Sequence, residues 1–244
     1  MAKEQGRKTI CISNVKQLQQ IWFMYVFDNK DAFPGENGWV SGWLNFSPLN
    51  PDNTNVDLLI NPNGSLLGNA SGAVLHILPS VQFAYYNKNP AIYKCPDDPS
   101  VIDYGFRKVP RVRSYSMNGI FGWNVQRGFT KLANVTNPGP SDQFGFLDEN
   151  PGTIWDPDFL VAYDVYSFYS LPASYHDSAS VISFLDGHCE THRWVDPQTT
   201  PPLTPAWMAL DQPPAGEYAN MSGYPYTQIF EPKSPDAIWL HSKS

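Results

Sequence analysis

The densest group of side chains able to hold a metal ion or move a proton is Asp186, His188, Cys189, Glu190 and His192. On a helix, His188 and His192 would stand one turn apart and could share a zinc ion. Asp186-Gly187, however, predicts a two-residue type I′ hairpin turn, with a strand running through His188 to Val195. On a strand, a rise of ~3.3 Å per residue puts the two imidazoles about 13 Å apart, too far for one ion. The expected arrangement is a half-exposed hairpin face of His188, Glu190 and His192, with Phe184 and Cys189 on the other face.

A second cluster, Asp148-Glu149-Asn150 followed by Asp156 and Asp158, is expected on a Pro- and Gly-containing loop directly after a strand. Hard oxygen ligands on such a loop suit Ca²⁺, so Asp148, Glu149, Asp156 and Asp158 form a candidate calcium site. The spacing does not match the EF-hand, and Asp and Asn also serve turn geometry alone. Nucleophile and phosphate motifs are missing: there is no G-x-S-x-G, P-loop, G-x-G-x-x-G or H-E-x-x-H. No pair of carboxylates is singled out by spacing, and the expectation is a protein without catalytic activity. Arg107, Lys108, Arg111 and Arg113 alternate with Val109 and Val112 and read as the wet face of a strand.

The elements that must position these groups begin with a helix. The first 28 residues lack proline, and Cys11, Val15, Leu18, Trp22 and Tyr25 are spaced four, three, four and three apart, the helical period. Lys3, Arg7, Lys8 and Lys16 fall off this stripe, and the helix should end near Asp28 to Asp31. From Pro34 to about Gly72 the chain is dense in Asn, Pro and Gly and reads as loop, with a short helix expected within Ala73 to Tyr86. Strand-like runs follow at Arg111 to Met117, Phe144 to Leu147, Tyr163 to Phe168, Val181 to Leu185 and His188 to Val195. Beyond Asp196, nine prolines predict an irregular arm laid over the domain.

The 244 residues carry 16 basic and 23 acidic side chains, a net charge of −7, which opposes attraction to nucleic acid or anionic lipid. Only 16% of residues are charged and 14% are aromatic, which excludes a coiled coil or a disordered acidic tail. The longest apolar run, Ile21 to Phe27, is far short of the ~20 residues of a membrane span. Cys11, Cys95 and Cys189 lie far apart without C-x-x-C spacing. They read as three buried thiols, or as one bridge and one free thiol in an oxidising compartment.

Several segments together resemble pilin-like proteins with a prepilin-type N-terminus and a C-terminal H-x9-DG signature, relatives of the type II secretion pseudopilins. His176 is followed by nine residues and then Asp186-Gly187. Cys11-Ile12-Ser13-Asn14-Val15-Lys16-Gln17-Leu18, with Met24-Tyr25, Asp28-Asn29 and Phe33-Pro34, resembles the segment that these proteins carry after their membrane helix. Further matches, in order, are Tyr93-Lys94-Cys95-Pro96-Asp97-Asp98-Pro99, Arg113-Ser114-Tyr115-Ser116-Met117-Asn118, Phe146-Leu147-Asp148-Glu149-Asn150-Pro151, Leu171-Pro172-Ala173-Ser174-Tyr175-His176 and His192-Arg193-Trp194. The cleavage motif, a Gly before Phe-Thr-Leu-Ile-Glu, and its apolar helix are absent from this sequence, and Met1 to Arg7 resembles the basic stretch that follows that helix. The chain is therefore expected to be the domain carried behind such a helix, encoded upstream of Met1.

The resemblance implies an exported, non-enzymatic structural subunit of a type II secretion or type IV pilus-like filament, in the bacterial cell envelope. It would be held at the inner membrane through the upstream helix and face the periplasm or surface. Its partners would be copies of itself, other pilin-like subunits and the assembly machinery, without nucleic acid. The fold expected is α+β: an N-terminal helix (1–30) packed on an antiparallel sheet, a globular part with long irregular loops and the H-x9-DG hairpin (31–195), and a Pro-rich C-terminal arm (196–244). His176 should make a hydrogen bond that fixes the chain's entry into the last hairpin. A reading from another class is an exported carbohydrate- or protein-binding module using Trp39, Trp43, Trp123 and Trp155, with Ca²⁺ as its candidate cofactor.

Overall fold

Freedom from proline lets one helix run through the N-terminal segment. The computed structural model describes residues 2–34, 38–62, 82–121, 129–154, 156–161, 167–168, 170–201, 229–230 and 234–244. Helix α1 spans Ala2–Asp28 and buries Cys11, Val15, Leu18, Trp22 and Val26 along one stripe, with the polar Asn14 and Gln19 beside them. Tyr25 sits half-buried at the edge of that stripe. The helix ends without glycine: Lys30 and Asp31 take positive φ of 57° and 62°, and the Asp31 N–H donates to the Val26 carbonyl at 2.9 Å.

Helix α1 lies on a five-stranded sheet of order β5-β3-β4-β7-β8. Its strands are β3 (Tyr115–Asn118), β4 (Phe144–Asp148), β5 (Asp158–Phe159), β7 (Ala179–Phe184) and β8 (Cys189–Arg193). Three of its pairs are antiparallel, but β5 runs parallel to β3, so the sheet is mixed rather than purely antiparallel. Two small pairs lie outside it: β1 (Val101–Asp103) with β2 (Lys108–Pro110), and β6 (Ser167–Phe168) with β9 (Ile229–Phe230). The Asn- and Pro-rich segment after α1 is mainly loop, with a short helix α2 (Asp57–Ile60) and a 3₁₀ turn at Pro51–Thr54. Of the helix expected within 73–86, a 3₁₀ turn at Gln82–Tyr85 is seen and the residues before it lie outside the described ones.

The sheet separates two apolar clusters. Toward α1 lie Tyr115, Met117, Phe146, Val181 and Leu185, with Trp39, Phe83 and Tyr93 closing the layer. On the opposite face Phe144, Leu147, Phe159, Ile182 and Phe184 meet Trp194 and a C-terminal helix α3 (Pro235–Ser242) through Ala237 and Leu240. The irregular arm expected over 196–244 therefore ends in a helix that covers the second sheet face. Ser234 caps it, Pro235 opens it, and the Asp236 carboxylate accepts from the N–H groups of Val195 and Asp196.

The last hairpin also departs from the type I′ expectation. Gly187 has φ of 94° while Asp186 is not among the positive-φ residues, and the Gly187 N–H donates to Phe184 O while the Phe184 N–H donates to His188 O. This is a three-residue loop with a single left-handed residue. Because Ser183 pairs with Cys189, Cys189 packs toward α1 whereas Phe184 faces α3, so these two do not share a face.

Candidate functional site

Four side chains from four separate segments converge beneath the first buried turn of α1. Cys11 comes from α1, Cys95 from the loop after a 3₁₀ turn at Pro90–Tyr93, Asp148 from the end of β4, and His176 from the turn leading into β7. All four are buried, and one ligand atom from each lies within 4.8 Å of every other. Cys11 Sγ is 3.4 Å from both Asp148 carboxylate oxygens. His176 Nε2 is 3.5 Å from Cys95 Sγ and 3.5 Å from Asp148 Oδ2.

A second ring of contacts orients these four. His176 Nδ1 faces Asp97 Oδ2 at 3.3 Å, and Arg7 pairs with the same carboxylate from α1. The Tyr115 hydroxyl donates to Cys11 Sγ at 3.2 Å, and the Val181 N–H reaches Asp148 Oδ2. Ser114 Oγ accepts the Cys95 N–H at 3.1 Å and donates to Asp98, which also pairs with Lys94. Two consecutive left-handed residues, Asp177 and Ser178, turn the chain so that His176 points inward while β7 begins three residues later.

Burial dominates the titration of this region. It pushes the Asp148 carboxyl up to about 8, against the opposing hydrogen bonds from Cys11 and Val181. It also drives the Cys11 thiol well above its usual value, with Cys95 and Asp148 adding to the shift. His176 is held below its ordinary value by burial, partly offset by Asp97. A buried carboxyl, the Cys11 thiol and an imidazole that disfavour their charged forms are costly unless hydrogen bonds or a cation compensate them.

The calcium set is not assembled. Among the described residues, Cys11, Cys95, Asp148 and His176 are the one convergent group of metal-ligating side chains. Asp148 points toward α1, whereas the next residue, Glu149, accepts from the Thr153 hydroxyl and has its carboxyl raised to about 8 by burial. Successive residues of an extended chain face opposite ways, which separates the two carboxyls. Asp156 is spent on its own turn, accepting the Asp158 N–H, and Asp158 is buried in the sheet.

His188 and His192 do not pair on a metal either. His188 stacks on Phe184 and bonds Asp186, while His192 stacks on Trp239 of α3 at 3.5 Å between ring centroids. His176 and Asp186-Gly187 sit at opposite ends of β7, so the H-x9-DG spacing measures one strand with a turn at each end. Arg111 and Arg113 are buried, contrary to the wet-face expectation. Arg111 donates to the carbonyls of Pro151 and Ile154, Arg113 donates to that of Asp156, and the loop they hold folds over them. Of the four tryptophans read as a binding surface, Trp39 is a core residue bonded to Pro157 O, Trp43 is half-exposed, and Trp123 and Trp155 lie outside the described residues.

The spacing of Cys11 and Cys95 alone does not reveal their convergence with Asp148 and His176. A signal was present: each of the four lies in a different one of the segments that carry the family resemblance, and Tyr115 and Ser114 of a fifth segment contact the two cysteines. No protein-family model, curated protein or solved structure matches the chain.

Proposed function

We propose that the chain is a non-enzymatic, pilin-like structural subunit of an envelope filament of the type II secretion or type IV pilus kind, with copies of itself or related subunits as partners. The observation that carries this reading is the way α1 leaves the domain. From Cys11 onward the helix is packed on the sheet, whereas Ala2 to Ile10 are exposed or half-buried. These nine residues, at 1.5 Å each, extend about 13 Å beyond the first fully buried turn. They are mostly polar, and their attachment to the body includes the Arg7–Asp97 pair. A helix with two thirds of its length bedded in an α+β body and its first third projecting is suited to pack against its neighbours while the body faces outward. No helix among the described residues is long and apolar enough to cross a membrane; in this reading the projecting turns serve subunit contacts.

The reading is tested by placing a photo-crosslinking residue at Gln5 or Ile10 in cells expressing the gene from its own locus. A ladder of dimers and higher species in the envelope fraction is expected. Crosslinks confined to the monomer at both positions overturn it.

A further inference from the structure

We propose that Cys11, Cys95, Asp148 and His176 form a closed tetrahedral site for one Zn²⁺-type divalent cation that staples α1 to the sheet. The proposal goes beyond the filament reading, whose crosslinking test does not sense metal.

The donor set fits this ion class. Two thiolates, one imidazole and one carboxylate match a borderline-soft cation of coordination number four, whereas Ca²⁺ needs six to eight oxygens. Three of the six edge lengths fit as well. With Zn–S near ~2.3 Å and Zn–N or Zn–O near ~2.0–2.1 Å, a tetrahedron has S···N and S···O edges of about 3.5 Å and an N···O edge of about 3.3–3.4 Å. The corresponding separations are 3.4 Å for Cys11 to Asp148, 3.5 Å for Cys95 to His176 and 3.5 Å for His176 to Asp148. A direct imidazole–carboxylate hydrogen bond would close to about 2.7–2.9 Å. The His176–Asp148 edge is loose for a hydrogen bond, and all three edges have lengths that suit a shared ion.

The surroundings are those of a structural metal site. His176 presents Nε2 to the site and Nδ1 to Asp97, the carboxylate–histidine arrangement that fixes the tautomer of a metal-bound imidazole. The Tyr115 hydroxyl donates to Cys11 Sγ, as a thiolate ligand would require. All four ligands are buried, leaving no open position for substrate, so the ion would hold structure rather than perform catalysis. On binding, the two thiols and any protonated Asp148 carboxyl release their protons to solvent, and His176 donates a neutral lone pair. The resulting charge of −1 lies near Lys8 and Arg7, which act on His176.

The test uses the full chain purified under reducing conditions without chelator. One equivalent of zinc per chain is expected. Removal by chelator should lower the melting temperature and Zn²⁺ should restore it, and Co²⁺ in place of Zn²⁺ should give tetrahedral bands with thiolate-to-cobalt charge transfer. Asp97→Asn keeps all four ligands and should weaken zinc affinity about 10- to 100-fold. This variant and the cobalt spectrum of the unaltered chain keep the test decisive if Cys11→Ser or Cys95→Ser fails to fold. The proposal is overturned if Zn²⁺ neither binds nor shifts the melting temperature. It is equally overturned if binding survives in a folded Cys11→Ser/Cys95→Ser chain, or if the unreduced, denatured protein titrates one thiol instead of three, which would mark a Cys11–Cys95 disulfide.

Discussion

Replacing Gly145 with alanine should loosen the seat of α1 on the central strand. The β4–β7 register shifts between Phe144 and Leu147, and Gly145 faces the helix at this point. A Cβ there would stand 2.1 Å from Gln19 Oε1 and 3.2 Å from Ser183 Oγ. Gln19 is almost fully buried, and its Oε1 accepts the Ser183 hydroxyl at 2.9 Å, while Ser183 Oγ accepts the Phe146 N–H at 3.0 Å. Gln19 must therefore swing by more than an ångström and surrender that hydrogen bond. The lost bond costs about 1 kcal/mol and the crowding about 1–3 kcal/mol. The entropy gained by replacing a strand glycine returns about 0.5–1 kcal/mol. The net loss of about 1–3.5 kcal/mol corresponds, for a chain of this size, to a melting temperature lower by roughly 2–14 °C in thermal circular dichroism. Gln19→Ala alone removes one buried acceptor, and because it also removes the obstacle, the double variant should be more stable than the sum of the two single effects by about 1–2 kcal/mol. An unchanged melting temperature in Gly145→Ala, or strict additivity in the double variant, would refute the close approach of α1 to β4.

Two further outcomes follow from buried charges. Arg111→Leu strips the donors from the Pro151 and Ile154 carbonyls and the cation from the Phe46 ring, so chemical denaturation should show a loss of about 3–5 kcal/mol. Arg111→Lys should recover only part of it, since an ammonium does not offer the same two-pronged fork. For Asp98, burial would raise the carboxyl, but Lys94, with the Ser114 hydroxyl and the Ser100 N–H, holds it below its usual range. Arg111, Tyr175 and Asp148 also lie within electrostatic reach of it. Because the folded pKa lies below the unfolded value of about 3.9, its stabilisation is present above that pH and is lost as pH falls through the folded value. Acid titrations of stability should accordingly be shallower below about pH 4 in a folded Asp98→Asn chain than in the unaltered one; equal slopes would refute the pairing.

Local pattern determined much of this protein. The 4-3-4-3 spacing from Cys11 to Tyr25 sufficed to place α1, because a helix buries one stripe and its period is written in consecutive residues. Alternation and a Gly at the turn sufficed to place β7 and β8, though the turn type differed because only Gly187 needed a left-handed backbone. What no local window contains is the partner across space. Arg111 and Arg113 look like solvent-facing strand residues until the 151–156 loop lends them its carbonyls, and the proline-rich C-terminal segment reads as an irregular arm over the domain, without a sign that its last turns form a helix covering Phe144, Leu147 and Phe184. The same holds for the Cys11, Cys95, Asp148 and His176 cluster: each residue alone is an ordinary thiol, acid or imidazole. Only the docking of α1 on the sheet, driven by the apolar stripe that the sequence does reveal, brings the four atoms within reach of one another.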